Sequence, residues 1–241
     1  VRRRTFALAT AAGTALLAAA ALPATAQPTT ARTAAVADAA SRPGVTEGSV
    51  SAADLLAKVT DCSQISNGKY RTDEETSATV PVCGKKGAVF WKADMDIDCD
   101  GQVTSKCNKD TDPWFQPDTR FHQSNGKPLN AEKLPYVVVP SVSGIWNYES
   151  AGIKGGGVVA IIYKNKVEYA VVGDTGPNKI IGEASYAAAK GLGIDPDPAT
   201  GGAESGVTYI LFKNSQASPI ESHSDAVSRG DALAKKFLQE N

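Results

Sequence analysis

Hydrophobic and polar positions change rhythm several times along the chain, and each change marks an expected element. An apolar Ala/Leu-rich stretch runs from Phe6 to Leu22 behind Arg2, Arg3 and Arg4 and ends at Ala24-Thr25-Ala26. A positive start, an apolar middle and an A-x-A site predict a secretory signal peptide over residues 1–26, with Gln27 starting the mature chain. Residues 27–48 are mostly Ala, Thr, Ser and Pro, with few large side chains. Such a segment gains too little from burial to offset the entropy of ordering, so a disordered linker or pro-segment is expected. At Ser49 the pattern changes again. Ser51-Ala52-Ala53-Asp54 ahead of Leu55, Leu56 and Val59 resembles a capping box that opens a short amphipathic helix, and the catalytic or binding domain is expected over residues 49–241.

From Gly87 onward, short apolar runs separated by Gly, Pro and Asn predict strands at Ala88–Trp91, Tyr136–Pro140, Gly157–Lys164, Val167–Gly173 and Val207–Phe212. Lys164-Asn165-Lys166 between two of these reads as a tight hairpin. An Ala-rich segment ending in glycine predicts a helix over Glu183–Gly191, and a partial apolar stripe of Val227, Leu233, Phe237 and Leu238 predicts another over Ser224–Gln239. The fold class expected is therefore β-rich α+β, a compact β core with a few peripheral helices and no internal repeat.

Composition narrows the function. The 25 basic and 26 acidic side chains are balanced, so the Lys/Arg excess that neutralises phosphates is missing and nucleic acid is not an expected partner. Removing the leader takes away three arginines and no acid, which moves the formal charge from −1 to −4. A mildly acidic exported protein favours cationic polymers. No segment beyond the leader is apolar enough to span a bilayer, so no membrane association is expected after cleavage.

Four cysteines, Cys62, Cys83, Cys99 and Cys107, in an exported chain imply two disulfides. Three pairings are possible and the sequence does not choose among them; Cys62–Cys83 with Cys99–Cys107 is favoured. Zinc is disfavoured at these cysteines, because there is no Cys-x-x-Cys and only His122 and His223 could assist.

Absent motifs exclude several chemistries. With no H-E-x-x-H, G-x-S-x-G or glycine-rich phosphate loop, nothing supports a metalloprotease, an α/β-hydrolase or a nucleotide enzyme, and no organic cofactor is called for. Carboxylates remain, and pairs of them cleave glycosidic bonds. The first cluster is Ala93-Asp94-Met95-Asp96-Ile97-Asp98-Cys99-Asp100-Gly101. If the preceding strand continues, its period of two puts Asp94, Asp96, Asp98 and Asp100 on one face. A row of like charges wants a cation against it, either a positively charged ligand or a metal. Asp96-x-Asp98-x-Asp100-Gly101 also matches the first half of an EF-hand loop, although its twelfth position is Cys107 and no helix precedes it. A solvated acidic turn is the third reading.

The second cluster runs from Glu168 through Val172-Gly173-Asp174-Thr175-Gly176-Pro177 to Ile181-Gly182-Glu183-Ala184-Ser185. Asp174 is expected at the end of a buried strand and Glu183 in the first turn of the following helix, so both acids flank one connection and can face one cleft. Spacing alone favours a plainer arrangement, in which Glu183 complements the helix dipole and Asp174 caps a turn.

Taken together, the runs 93–101, Asp112-Pro113-Trp114-Phe115, 172–177 and 181–185 closely resemble the chitosanases of glycoside hydrolase family 75. The resemblance extends from about Ser51 to the C-terminal helix. It implies a six-stranded double-psi-like β-barrel and a secreted, endo-acting enzyme that hydrolyses β-1,4 glucosamine links in chitosan with inversion. It also implies that Asp174 and Glu183 are the catalytic pair. Chitosan is a polycation in mild acid, so Asp94, Asp96, Asp98 and Asp112 are candidates to bind its ammonium groups, and Trp114 and Tyr148 to support sugar faces. A monomer is expected. Other readings are a peptidoglycan-lytic or wall-loosening enzyme on a similar barrel, and a non-catalytic polysaccharide- or calcium-binding module.

Overall fold

The computed structural model describes residues 46–241; the expected signal peptide and most of the expected linker lie outside them. Along the chain come α1 (Ala52–Ala57), β1 (Ser63–Gln64), β2 (Cys83–Lys85), β3 (Ala88–Asp98), β4 (Tyr136–Pro140), β5 (Val158–Tyr163), β6 (Lys166–Gly176), β7 (Glu183–Ser185), α2 (Tyr186–Leu192), β8 (Ala203–Phe212) and α3 (His223–Glu240). Six strands close into a barrel in the order β3-β7-β4-β6-β5-β8, with β8 returning to β3, and β1 and β2 extend the wall beyond β3. The pairs β3/β7 and β4/β6 are parallel, and the other neighbours in the ring are antiparallel. Closure leaves no unpaired edge within the ring.

Alternation along the strands builds two apolar layers. Val89, Trp91, Ala93 and Met95 of β3 point inward and meet Val137, Val139, Ile161, Val172 and Tyr209 in the barrel interior, where Trp91 stacks on Tyr209 at 5.5 Å. The residues between them, Phe90, Tyr136, Ala160, Tyr169 and Ile210, form an outer layer that α3 and α1 cover. In α3, Ala226, Gly230, Ala234 and Phe237 recur at helical spacing and bury that face. Gly230 is required by closeness, since a Cβ there would run into the Tyr169 ring. Phe237 closes the contact edge-on to Phe212 at 6.3 Å.

Each helix starts on a serine, the first at Ser51 as the sequence pattern predicts. The Ser51 side chain accepts the Asp54 N–H at 3.1 Å, and Ser185 and Ser222 do the same for α2 and α3. Gly193, at φ 73°, ends α2 in the left-handed conformation that glycine supplies most readily. The turn between β5 and β6 holds two residues, Lys164 and Asn165, because Tyr163 pairs with Lys166. The disulfides are Cys62–Cys83 and Cys99–Cys107, the favoured pairing. Cys62–Cys83 ties the chain after α1 to β2, and Cys99–Cys107 closes the loop that leaves β3. No helix among the described residues is long and apolar enough to cross a membrane.

Several expected bounds need correction: β6 runs on to Gly176 rather than ending at Gly173, and β8 starts at Ala203 rather than Val207. Strand β3 does not stop at Trp91 but runs on to Asp98. The helix expected from Glu183 begins at Tyr186, because Ser185 caps it and residues 183–185 pair with β3 and β4 as β7. Thr46 and Glu47, at the end of the expected linker, already contact the barrel: the Glu47 N–H donates to the Val167 carbonyl at 3.0 Å, and Thr46 Oγ1 donates to the Asn165 carbonyl at 3.3 Å.

Candidate active site

Three strands, β3, β7 and β6, carry the acids on the side of the wall that faces away from the barrel interior, with β4 lying between β7 and β6. On β3 the expected period of two holds: Ala93, Met95 and Ile97 join the interior layer, which turns Asp94, Asp96 and Asp98 outward. Asp100 lies just beyond the strand. There Gly101 adopts φ 111° and approaches Leu129 so closely that a Cβ would strike its carbonyl.

Register brings the two catalytic candidates into line. Asp96 is level with Glu183 across β3/β7, and Val138 is level with Asp174 across β4/β6. Because Val137 faces Ala184 in the antiparallel pair β4/β7, Val138 is also level with Glu183. Asp96, Glu183, Val138 and Asp174 thus form one row across four strands. A bulge completes it. Between the pairs Val137/Val172 and Val138/Asp174, β6 holds the extra residue Gly173. Regular alternation after the inward Val172 would turn Gly173 outward and Asp174 into the barrel; because Gly173 is taken up as a bulge, Asp174 shares the outer side with Glu183.

The backbones of Asp174 and Glu183 are two strand spacings apart, roughly 9.5 Å. The Glu183 side chain reaches back over β4 towards β6. Its Oε2 lies 2.6 Å from where a Cβ on Gly176 would be, and Val138 Cγ1 lies 3.0 Å from the same point. Gly176 is two residues beyond Asp174 on the same side of β6, roughly 6.6 Å along the strand. The glycine therefore leaves the space that the Glu183 carboxylate fills.

The two acids have different surroundings. Asp174 Oδ1 accepts the backbone N–H groups of Arg120 at 2.8 Å and Thr175 at 2.7 Å. Burial raises its pKa, and these two bonds favour the ionised form and oppose that rise. Glu183 has no such donors among the described residues. Burial, followed by the charges of Asp96, Asp100 and Asp174, pushes its pKa up to about 7. Asp100, buried and then held down by the Gln116 N–H, still rises to about 6, and Asp98 is raised well above the usual carboxylate range by burial and by Asp100. No lysine, arginine or histidine forms an ion pair with Asp94, Asp96, Asp98, Asp100, Asp174 or Glu183 among the described residues.

The other expected binding residues are dispersed. Asp96 is exposed and Asp98 half-buried, beside Glu183. Asp94, although on the same face, is buried against Gly182, and burial followed by Asp96 lifts its pKa to about 8. It offers no free carboxylate to a polymer. Asp112 is buried and accepts the Trp114 N–H at 2.9 Å, so it shapes the loop that carries Trp114. Trp114 is 85% exposed, whereas Tyr148 is 3% exposed. Tyr148 therefore presents no face to a sugar in this structure, and Trp114 does. Asp96 and Asp98 occupy extended backbone, unlike ligands that coil around a calcium ion.

Several contributors carried no local signal. The Arg120 N–H comes from a loop 54 positions before Asp174. The Tyr136 ring lies beneath the cluster and donates its hydroxyl to the Asp100 carbonyl at 3.0 Å. Gly176 was visible in the Asp174-Thr175-Gly176 run, but its purpose depends on the neighbouring strands.

Residues 95–237, more than half of the chain, match the family described as fungal chitosanase of glycosyl hydrolase group 75. Curated relatives agree. Endo-chitosanase C of Aspergillus oryzae is 31% identical over 55% of this chain and 33% of its own length. Endo-chitosanase B of the same species is 30% identical over 58% of this chain and 65% of its own, and an endo-chitosanase of Aspergillus fumigatus is 30% identical over 53% and 59%. The chain thus spans between a third and two thirds of the length of these relatives.

Proposed function

We propose, from the premise that this chain belongs to the glycosyl hydrolase group 75 family of chitosanases, that it is a secreted endo-chitosanase that cuts β-1,4 glucosamine links with inversion, using Glu183 as acid and Asp174 as base. The observation that carries this reading is the row across β7, β4 and β6, which sets two differently tuned carboxylates on one side of the wall with Val138 between them.

Glu183, protonated up to a pKa of about 7, gives its proton to the leaving glycosidic oxygen. Asp174, whose ionised form is favoured by two backbone N–H groups, takes a proton from a water that attacks the anomeric carbon from the opposite side. The bond from carbon to the leaving oxygen breaks as the bond to the water oxygen forms. Solvent then returns a proton to Glu183 and removes one from Asp174. Inversion needs room for that water, roughly 6.5–9.5 Å between the carboxyl groups. The strand spacing and the Gly176 gap are compatible with that range.

Asp96 and Asp98, beside Glu183 and without a basic ion-pair partner among the described residues, are assigned to the substrate's ammonium groups, and the exposed Trp114 to a sugar face. Export is supported by the leader-like sequence and by two disulfides.

The test measures product release from soluble chitosan, chitin, carboxymethyl cellulose and peptidoglycan, with proton NMR of the new anomeric centre. Chitosan-specific release of α-anomers that disappears in Glu183→Gln is the expected result. Release of β-anomers would overturn inversion, and turnover of peptidoglycan alone would overturn the substrate. Azide should restore Asp174→Gly but not Glu183→Gly; the reverse would exchange the two roles.

A further inference from the structure

The start of β6, six residues before Asp174, holds a second cluster that the proposed reaction does not use. Glu47 from the N-terminal segment, Glu168 of β6 and His223 at the start of α3 each present one potential ligand atom, and these three atoms lie within 4.8 Å of one another. His223 Nε2 is 3.1 Å from Glu47 Oε1 and 3.8 Å from Glu168 Oε1. Donors held about 2.0–2.1 Å from a tetrahedral ion stand roughly 3.3 Å apart, close to these separations.

The individual residues fit ligands as well as the distances do. Glu168 is 6% exposed, and its carboxylate accepts no hydrogen bond among the described residues, although His223 lies within ion-pair range. It is backed by Gly191, where a Cβ would collide with that carboxylate. Glu47 Oε2 accepts the Tyr169 N–H at 2.7 Å, which fixes the carboxylate, and both its oxygens stand near His223 Nε2, Oε1 at 3.1 Å and Oε2 at 3.3 Å. Such a bond to a ligand's second oxygen is how proteins orient metal-binding carboxylates. Glu47 and His223 are only half-buried, so an ion and a water have a path in. Two carboxylates and one imidazole together match a divalent ion of intermediate softness.

We propose that Glu47, Glu168 and His223 form a zinc-class metal site with its fourth position open to water. Bound metal would fasten residues 46–49 to β6 and α3, three parts of the chain joined here by non-local contacts. It is a structural site, separate from the carboxylate face.

Calorimetric titration of zinc chloride into chelator-treated full chain at pH 7.5, paired with thermal unfolding, tests it. One saturable equivalent is expected, together with a rise in Tm of several degrees. His223→Gln should abolish both, and Glu47→Gln, at the more exposed ligand, should weaken binding at least tenfold. His122→Gln, which removes the other histidine, should bind as the parent does. Binding should also weaken towards pH 5, because the metal must displace a proton from the imidazole. No saturable binding would overturn the proposal, as would unchanged binding in both His223→Gln and Glu47→Gln or loss of binding in His122→Gln.

Discussion

The two ends of β6 handle buried carboxylates in opposite ways. Near its start, Glu168 is buried with the His223 Nε2 at 3.8 Å and a second carboxylate, that of Glu47, beside the same ring nitrogen at 3.1 Å. Near its end, Asp174 is as well buried, but its compensation comes from two backbone N–H groups, and the acids around it form no ion pair among the described residues. At the start of the strand a side-chain imidazole stands with the two carboxylates, three ligand atoms within 4.8 Å of one another, whereas at the end no basic side chain pairs with the acids among the described residues. Backbone donors stabilise charge without supplying a whole positive charge. The surplus of acid near Asp174 is therefore free to hold a proton on Glu183 and to meet a cation from outside.

Removing the acid should have the largest effect on this contrast. Glu183→Gln keeps the shape and loses the transferable proton, so kcat on chitosan should fall by about 10²–10⁴. Asp174→Asn should fall comparably, while Glu168→Gln at the other end should leave kcat within about twofold. Steady-state reducing-end assays of the three variants check this, and an inactive Glu168→Gln that still folds would erase the distinction between the ends.

Next in size is Gly176→Ala. Its Cβ would lie 2.6 Å from Glu183 Oε2, so the carboxylate must move although neither of the proposed catalytic side chains is altered. Displacement by about 1 Å can cost 10²-fold, and kcat is expected to drop tenfold to a hundredfold with a small change in Tm. Full activity in this variant would show that Glu183 does not act from its position over Gly176.

The same contrast explains what the sequence could and could not show. Strand β4 was legible to the residue, because five consecutive apolar residues ending in proline admit few other readings, and the acids of β3 fell on one face as period two requires. Glu183 was placed on a helix because the alanines that follow it dominate the local pattern. A strand of three residues has no periodicity of its own, and its hydrogen bonds come from β3 and β4, which are remote in sequence. The Gly173 bulge that turns Asp174 outward is equally non-local. Tyr148 and Asp112 were reasonable candidates by type, yet burial decides their availability, and burial depends on the assembled fold. Glu47, Glu168 and His223 lie so far apart in the chain that no spacing rule unites them.

A smaller effect concerns pH. An unfolded glutamate titrates near 4.5, whereas Glu183 in the fold titrates near 7. Between those values the folded chain keeps a proton that the unfolded chain has released, so the free energy of unfolding falls as pH rises. Asp94, shifted to about 8, extends the window upward. Differential scanning calorimetry should show Tm falling by several degrees from pH 5 to pH 8, with a shallower slope in Glu183→Gln. Activity should decline on the alkaline side of about pH 7 as Glu183 loses its proton. A Tm that rises over this range would contradict the assignment of Glu183 as a carboxyl kept protonated by its surroundings.

The smallest expected effect sharpens the comparison most finely, because it separates binding from chemistry within one row. Asp96 is level with Glu183, exposed, and one of the charges that raises the Glu183 pKa. Asp96→Asn therefore removes the attraction proposed for a substrate ammonium group and also relaxes the proton held by its neighbour. The first effect should raise KM for chitosan a few-fold at low salt and fade above about 0.3 M salt, where exposed charges are screened beyond a few ångströms. The second should shift the alkaline limb of the kcat profile to lower pH, because with less negative charge nearby Glu183 ionises more readily. A salt-sensitive KM with an unmoved pH limb would assign Asp96 to substrate alone. A moved limb with an unchanged KM would assign it to tuning Glu183, and the ammonium would then have to be met by Asp98.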